Sequence, residues 1–204
     1  MGQNMTGKDP LAKLSMLLAK LPGVGRRSAE RMALKLAREQ GTLVRDLIAA
    51  LGEVDATLKA CSLCGSITRK DEDPCPLCTD PRRDDAVLCV VEDPADIVLI
   101  ERAGGFRGRY HSLMGKLSPM KGEGVADLRI EALLKRIVSR GVKEVILALG
   151  SDVESDATIS FLRQVLSSKK VAISRLAFGI PAGSEIAYSD PVTLARALEG
   201  RTRL

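Results

Sequence analysis

Four cysteines constrain this chain more than any other feature. Cys61, Cys64, Cys75 and Cys78 form a C-x2-C, x10, C-x2-C array inside a polar stretch that carries Gly and Pro but no apolar period. Such a stretch cannot build a core of its own, so something other than hydrophobic burial has to hold it. Two closely spaced thiolate pairs can grip one ion from two sides and complete a tetrahedron. With all four positions filled, no water is left to activate, and one structural Zn2+ per chain is expected. Disulfides and an iron–sulfur centre are the alternatives for this spacing. Cys89 stands apart, inside an apolar run, and reads as a small core residue.

An odd number of cysteines, four of them in close pairs, fits metal binding in a reducing compartment better than a secreted disulfide framework. No apolar signal core opens the sequence and no window approaches a membrane span. A cytoplasmic location and no membrane partner are therefore expected. At 204 residues, 28% charged and 45% hydrophobic, the chain has the balance of a globular protein of one or two domains.

Hydrophobic periodicity divides the sequence further. Leu11, Leu14, Leu17, Leu18 and Leu21 predict a first helix that stops at Pro22. A second helix starts after Gly25 with the stripe Ala29, Met32, Ala33 and Leu36 and stops near Gly41. Leu43 to Leu58 predicts a third, weakened by Gly52. From Val87 the texture changes: strands at Val87 to Val91, Val145 to Leu149 and Val171 to Leu176 alternate with helices at Ala95 to Arg102, Leu128 to Arg140 and Ala157 to Leu166. Alternation of this kind implies an α/β fold with a parallel sheet flanked by helices. Pro191 to Leu198 predicts a terminal helix closed by Gly200.

Charge is unevenly spread. Residues 1 to 45 hold nine Lys and Arg against three Asp and Glu, so the whole basic excess of the chain is N-terminal. That asymmetry is the footprint of an anion-binding surface such as one for a phosphate backbone. With no Trp, two Tyr and three Phe, the chain lacks the material for a rich base-stacking platform, and phosphate-led contacts are expected. Leu21-Pro22-Gly23-Val24-Gly25 joins the first two helices. Its glycines permit a tight turn, and amides at the next helix start can face an anion. Arg27 and Arg31 follow at helical spacing, with Arg26 and Lys35 nearby. The segment resembles a helix-hairpin-helix, a motif that grips DNA without reading its sequence. Gly23, Gly25, Arg26, Arg27, Arg31 and Lys35 are the candidate DNA contacts.

Glu92 ends one strand, and Gly150-Ser151-Asp152-Val153-Glu154-Ser155-Asp156 follows another. Carboxylates at strand C-termini gather where parallel sheets bind ligands. The pattern resembles a Toprim domain, whose catalytic members place Glu after one strand and Asp-x-Asp after another. Gly150 stands where the first Asp would be, which weakens any Mg2+ site and argues against catalysis and against Mg2+ as a cofactor. Gly2 to Lys8 fits G-x4-G-K, but Asp9 follows and no strand precedes, so a phosphate-binding loop is rejected. His111, the only histidine, has no nucleophile beside it and reads as structural. Tyr110 and Tyr188 lack the enclosing domains that cleavage by a tyrosine would need.

Over nearly its whole length the chain is similar to the RecR family. Carrying the resemblance are LPGVGRRSAERMA, CSLCG with CPLC, DPRRD with LCVVEDPADI, FRGRYHSLMGKLSPMKGEG, and LAFGIPAGSEIAYSDPVTLARALEGR. It implies a helix-hairpin-helix DNA-binding region at 1–58, a zinc module at 59–80, a Toprim-like domain at 85–178 and a helical tail at 179–204 that makes an oligomer contact. It also implies a nucleoid-associated mediator of recombinational repair. Such a mediator forms a clamp-like homo-oligomer, a dimer or tetramer, and with RecO and RecF helps load RecA at single-strand gaps. On the acidic face, Glu92, Asp152, Glu154 and Asp156 would contact partners, not substrate. The family usually has Asn-Pro-Thr-Val-Glu-Gly-Glu at Gly150 to Asp156, so Ser155 and Asp156 replace Gly and Glu here. Two other classes compete: a Mg2+-dependent Toprim nuclease, primase or topoisomerase, and a zinc-stabilised interaction protein without DNA. The incomplete carboxylate set opposes the first, and the basic N-terminus the second.

Overall fold

The computed structural model describes residues 9–39, 41–118, 122, 124–177, 179–180 and 183–201. The G-x4-G-K stretch at Gly2 to Lys8 lies outside them, as do parts of the stretches around 119–123 and 178–182. The chain divides into two compact units, Met1–Leu58 and Lys59–Leu204.

The first unit is helical. Helix α1, Pro10–Leu18, is capped by Asp9, whose side chain accepts from the Leu11 amide. Helix α2, Arg26–Arg38, packs on α1 through Ala29 and Ala33, the two residues it buries. The buried stripe is narrower than periodicity suggested, because Met32 stays 43% exposed. Helix α3, Thr42–Thr57, buries no residue. Its Leu43, Leu47, Ile48, Leu51 and Val54 are exposed.

At the boundary between the units lies β1, Leu58–Ala60, which forms a hairpin with β2, Ile67–Arg69, followed by the single turn α4, Pro76–Thr79. After it come β3, Asp84–Val91, α5, Pro94–Ala103, β4, Gly108–Ser112, α6, Ile130–Arg140, β5, Glu144–Ala148, α7, Val153–Leu166, β6, Ala172–Arg175, and α8, Pro191–Glu199. The four long-range strands form one parallel sheet in the order β4-β3-β5-β6. Alternate residues of β3 face opposite sides. Leu88 and Val90 join Leu133, Ile137, Leu162 and Leu166 in one core. Cys89 and Val91 join Ile97, Tyr110 and the four paired cysteines in another. Cys89 is thus a core residue, and burial pushes its thiol up to about 12.

Sequence periodicity did not reveal β4. Its five residues, Gly108 to Ser112, are all buried, three of them polar. Each polar side chain finds a partner: Arg109 Nε donates to Asp85 at 2.6 Å, His111 Nε2 lies 3.0 Å from the Arg129 carbonyl, and Ser112 Oγ donates to the Glu92 carbonyl at 3.2 Å. Tertiary partners therefore satisfy groups that would otherwise disqualify a buried strand.

Candidate functional site

Three places in the structure hold the candidate side chains. In the first unit, Leu21 to Val24 is a type II turn: Pro22 fixes its second position, Gly23 adopts φ +75, and the Val24 amide donates to the Leu21 carbonyl at 3.1 Å. Gly25 then caps α2 in extended backbone, φ −72 and ψ 162, and contributes no side-chain cap. The first amides of α2 are left without the intrahelical partners they cannot have, and its first turn holds no acidic residue. Arg27 and Arg31 are exposed and make no ion pair among the described residues. Arg26 pairs with Glu30 at 3.2 Å and Lys35 with Glu39 at 3.9 Å, both on the surface.

The second place is the cysteine cluster. The four Sγ atoms lie within 4.8 Å of one another, and all four residues are buried. Cys64 and Cys75 stand 3.4 Å apart at sulfur and Cys61 and Cys78 4.0 Å apart. A tetrahedral ion with metal–sulfur bonds of about 2.3 Å has sulfur edges of roughly 3.8 Å. The donor set therefore fits such an ion and is too open for disulfides. Among the described residues, this is the one group of His, Cys, Asp and Glu arranged to hold a metal.

The knuckles are fastened to the sheet. The Ser112 amide at the end of β4 donates to the Cys64 carbonyl at 2.7 Å. Arg109 reaches the Leu77 carbonyl at 2.8 Å, and Arg129 reaches the Ser62 carbonyl at 2.9 Å. Arg136, from α6, donates to the Tyr110 carbonyl at 2.6 Å and lies 3.7 Å from Cys78 Sγ. Gly65 has φ +84, and a Cβ there would sit 2.5 Å from Arg129 Nη1, so the glycine of CSLCG lets the knuckle close on this arginine. None of these arginines was marked by sequence. A lone Arg in a helix or strand carries no signal of what it will meet across the fold.

The third place is the C-terminal end of the sheet. The chain leaves β3 toward β4 on one side, while β5 pairs on the other, so this end is a topological switch point. Glu92, Asp152 and Glu154 converge there around Lys116. Its ammonium lies 2.6 Å from Asp152, 3.7 Å from Glu154 and 3.8 Å from Glu92. Lys116 thus sits among three of the carboxylates that would otherwise face a cation. Its hydrogen bond and the Ser155 amide hold Asp152 down to about 2. One oxygen of Glu92 accepts from the Gly150 amide at 2.9 Å and from the Ser155 hydroxyl. A Cβ at Gly150 would lie 3.0 Å from Ser155 Oγ and 3.3 Å from carboxylate oxygens of Glu92 and Asp152. Asp156 turns away to Arg175 at 2.8 Å and Arg196 at 3.6 Å. Sequence reading named the carboxylates but missed Lys116, which lies 36 positions from Asp152 and meets it only through the sheet.

His111 and Tyr110 are internal. His111 is fully buried, and burial, reinforced by Arg129, lowers its pKa to about 3. The Tyr110 hydroxyl donates to Glu101 at 2.5 Å.

Comparison with known proteins separates these features by family. Residues 11–54 match the RecR helix-hairpin-helix, 86–177 the Toprim domain and 179–202 the RecR C-terminal region. Recombination protein RecR of Syntrophotalea carbinolica is 48% identical over 186 residues, 91% of this chain and 92% of the relative. The chain belongs to the RecR family. RecR of Bifidobacterium longum subsp. infantis is 45% identical over 94% of both chains, and that of Moorella thermoacetica 44% over 96% and 98%. The family's helix-hairpin-helix region covers α1, the turn, α2 and most of α3, and its Toprim domain covers the parallel sheet. Among the described residues no helix is long and apolar enough to cross a membrane.

Proposed function

We propose that this RecR-family chain is a mediator of recombinational repair that binds DNA without reading its sequence and performs no chemical turnover. The observation that carries this reading is the start of α2. Unpaired helix amides, a glycine turn and the exposed, unpaired Arg27 and Arg31 offer charge and donors to phosphates, with nothing shaped for base edges. Gly23, Gly25, Arg26 and Lys35 complete the contact.

Zn2+ is the ion that suits four buried thiolates, and it would cross-link the two knuckles without acting on substrate. Against catalysis stands Lys116, whose ammonium occupies the middle of the Glu92, Asp152 and Glu154 cluster. A tethered cation there opposes the entry of Mg2+. The acidic face, with Asp156 at its edge, is assigned to partner contacts, RecO and RecF by the family's example, in the loading of RecA at gaps. The exposed apolar side chains of α3 supply a surface for assembly into a clamp-like dimer or tetramer. The reading places the protein in the cytoplasm, on the nucleoid.

A salt titration of DNA binding tests the interface. Arg27→Glu with Arg31→Glu should weaken binding alike on unrelated sequences and flatten the slope of log affinity against log salt, since fewer counterions are released. A folded double variant that keeps both affinity and slope would place the DNA elsewhere.

A further inference from the structure

Arg136 presents a charge problem. Its side chain is buried, projecting from α6 toward β4. One nitrogen donates to the Tyr110 carbonyl at 2.6 Å, and another lies 3.7 Å from Cys78 Sγ. Among the described residues no carboxylate pairs with it, although the neighbouring buried arginines Arg83 and Arg109 each have one, Glu101 at 2.5 Å and Asp85 at 2.6 Å. A guanidinium stays charged at any pH a protein meets, and burying it without a counter-charge is strongly unfavourable. Four thiolates around a divalent cation carry a net charge of minus two, and Cys78 is the anionic ligand within its reach.

We infer that Arg136 is the counter-ion of the metal centre, a positioning residue whose N–H contact with Cys78 holds that thiolate in the coordination shell and ties metal retention to the α6–β4 packing. The inference rests on the reading of the four cysteines as a zinc site. Arg136 does not bind the ion; it acts through Cys78. Arg129 makes the useful contrast, since it grips the other knuckle, Cys61 to Cys64, through the Ser62 and Leu63 carbonyls and no sulfur contact is found for it among the described residues. If the arginines were only clasps, the two would be equivalent. With Arg136 as counter-ion, only its loss should change the metal–sulfur bond.

The experiment compares wild type, Arg136→Gln, Arg136→Lys and Arg129→Gln as full-length proteins. Gln keeps a donor for the Tyr110 carbonyl and removes the charge, whereas Lys keeps the charge. Metal content of the wild type is measured first, and absence of zinc there refutes the zinc reading itself. Zn2+ affinity is then read by competition with a chromogenic chelator. The thiolate-to-metal charge-transfer band is read after replacement by Co2+. Arg136→Gln should bind Zn2+ about 10- to 100-fold more weakly, the range seen for partners that orient metal ligands, with a shifted Co2+ band. Arg136→Lys should recover most of the affinity, and Arg129→Gln should leave the band in place. Wild-type zinc affinity and an unmoved band in a folded Arg136→Gln would overturn the proposal. Should that variant fail to fold, Arg136→Lys decides: a natively folded Arg136→Lys that binds Zn2+ about 100-fold or more weakly than wild type, although it keeps the charge, would also overturn it.

Discussion

His111 shows what a single buried side chain imposes on the whole protein. Its Nε2 donates to the Arg129 carbonyl and its Nδ1 has no partner among the described residues. The folded protein therefore keeps the imidazole neutral, with a pKa lowered to about 3 by burial. In the unfolded chain the ring titrates near 6.5. The folded state binds the proton less readily, so the contribution is intact above about pH 6.5 and is lost as pH falls toward 3. His111→Gln retains a donor for the carbonyl and removes the titration. Its stability should fall less steeply than that of wild type across this window, by an amount on the order of a few kcal/mol in total. Urea unfolding of both proteins at a series of pH values measures this, with loss of metal from the thiolates common to both. Parallel curves would show that His111 takes no part in acid sensitivity. The sequence marked the residue as structural, but its burial depends on β4, which polar residues concealed.

At the scale of elements, legibility followed periodicity. Helices α1, α2 and α3 and strands β3, β5 and β6 were read from Leu, Ala and Val spacing, because each buries or presents a regular apolar row. Strand β4 and the hairpin of β1 and β2 were not, since their place is set by contacts distant in sequence. The candidate site divides in the same way. Cysteine spacing and the carboxylates after β3 and β5 are local signals, whereas Lys116, Arg129 and Arg136 become visible only when the sheet brings them in. The turn between α1 and α2 adds a distinction that sequence could not draw. Gly23 and Gly25 look equivalent in the motif, yet only Gly23 has positive φ, and neither has an atom within 4 Å of an added Cβ. Gly23→Ala should thus cost about 1 kcal/mol through backbone strain alone. Gly25→Ala should lose less, through a poorer helix cap. Urea unfolding of the two single variants checks the order, and equal losses would mean that the turn relaxes.

For the molecule as a whole, the division into two units at Leu58 leads to the expectation that loss of the proposed ion is felt within the second unit. The knuckles share a core with Val91, Ile97 and Tyr110 and are bonded to β4 through Ser112 and to α6 through Arg136 at Cys78. Removing the ion with a chelator, or by Cys75→Ser, should therefore loosen β4 and the parts of α6 that face it, not the cysteine loops alone. Hydrogen exchange should show protection falling at Gly108 to Ser112 while α1 and α2 exchange as before. Unchanged protection in β4 would mean that the sheet stands without its knuckles.

Lys116 has one more consequence. An ion drawn from solution occupies a site in proportion to its concentration, and a chelator or a competing ion can take it away. An ammonium carried on the same chain has a local concentration fixed by its tether. The charge of the acidic end of the sheet is accordingly written into the covalent structure. On the proposed reading, with Lys116 in the place of Mg2+, that charge should be the same in a magnesium-rich cell as in a starved one.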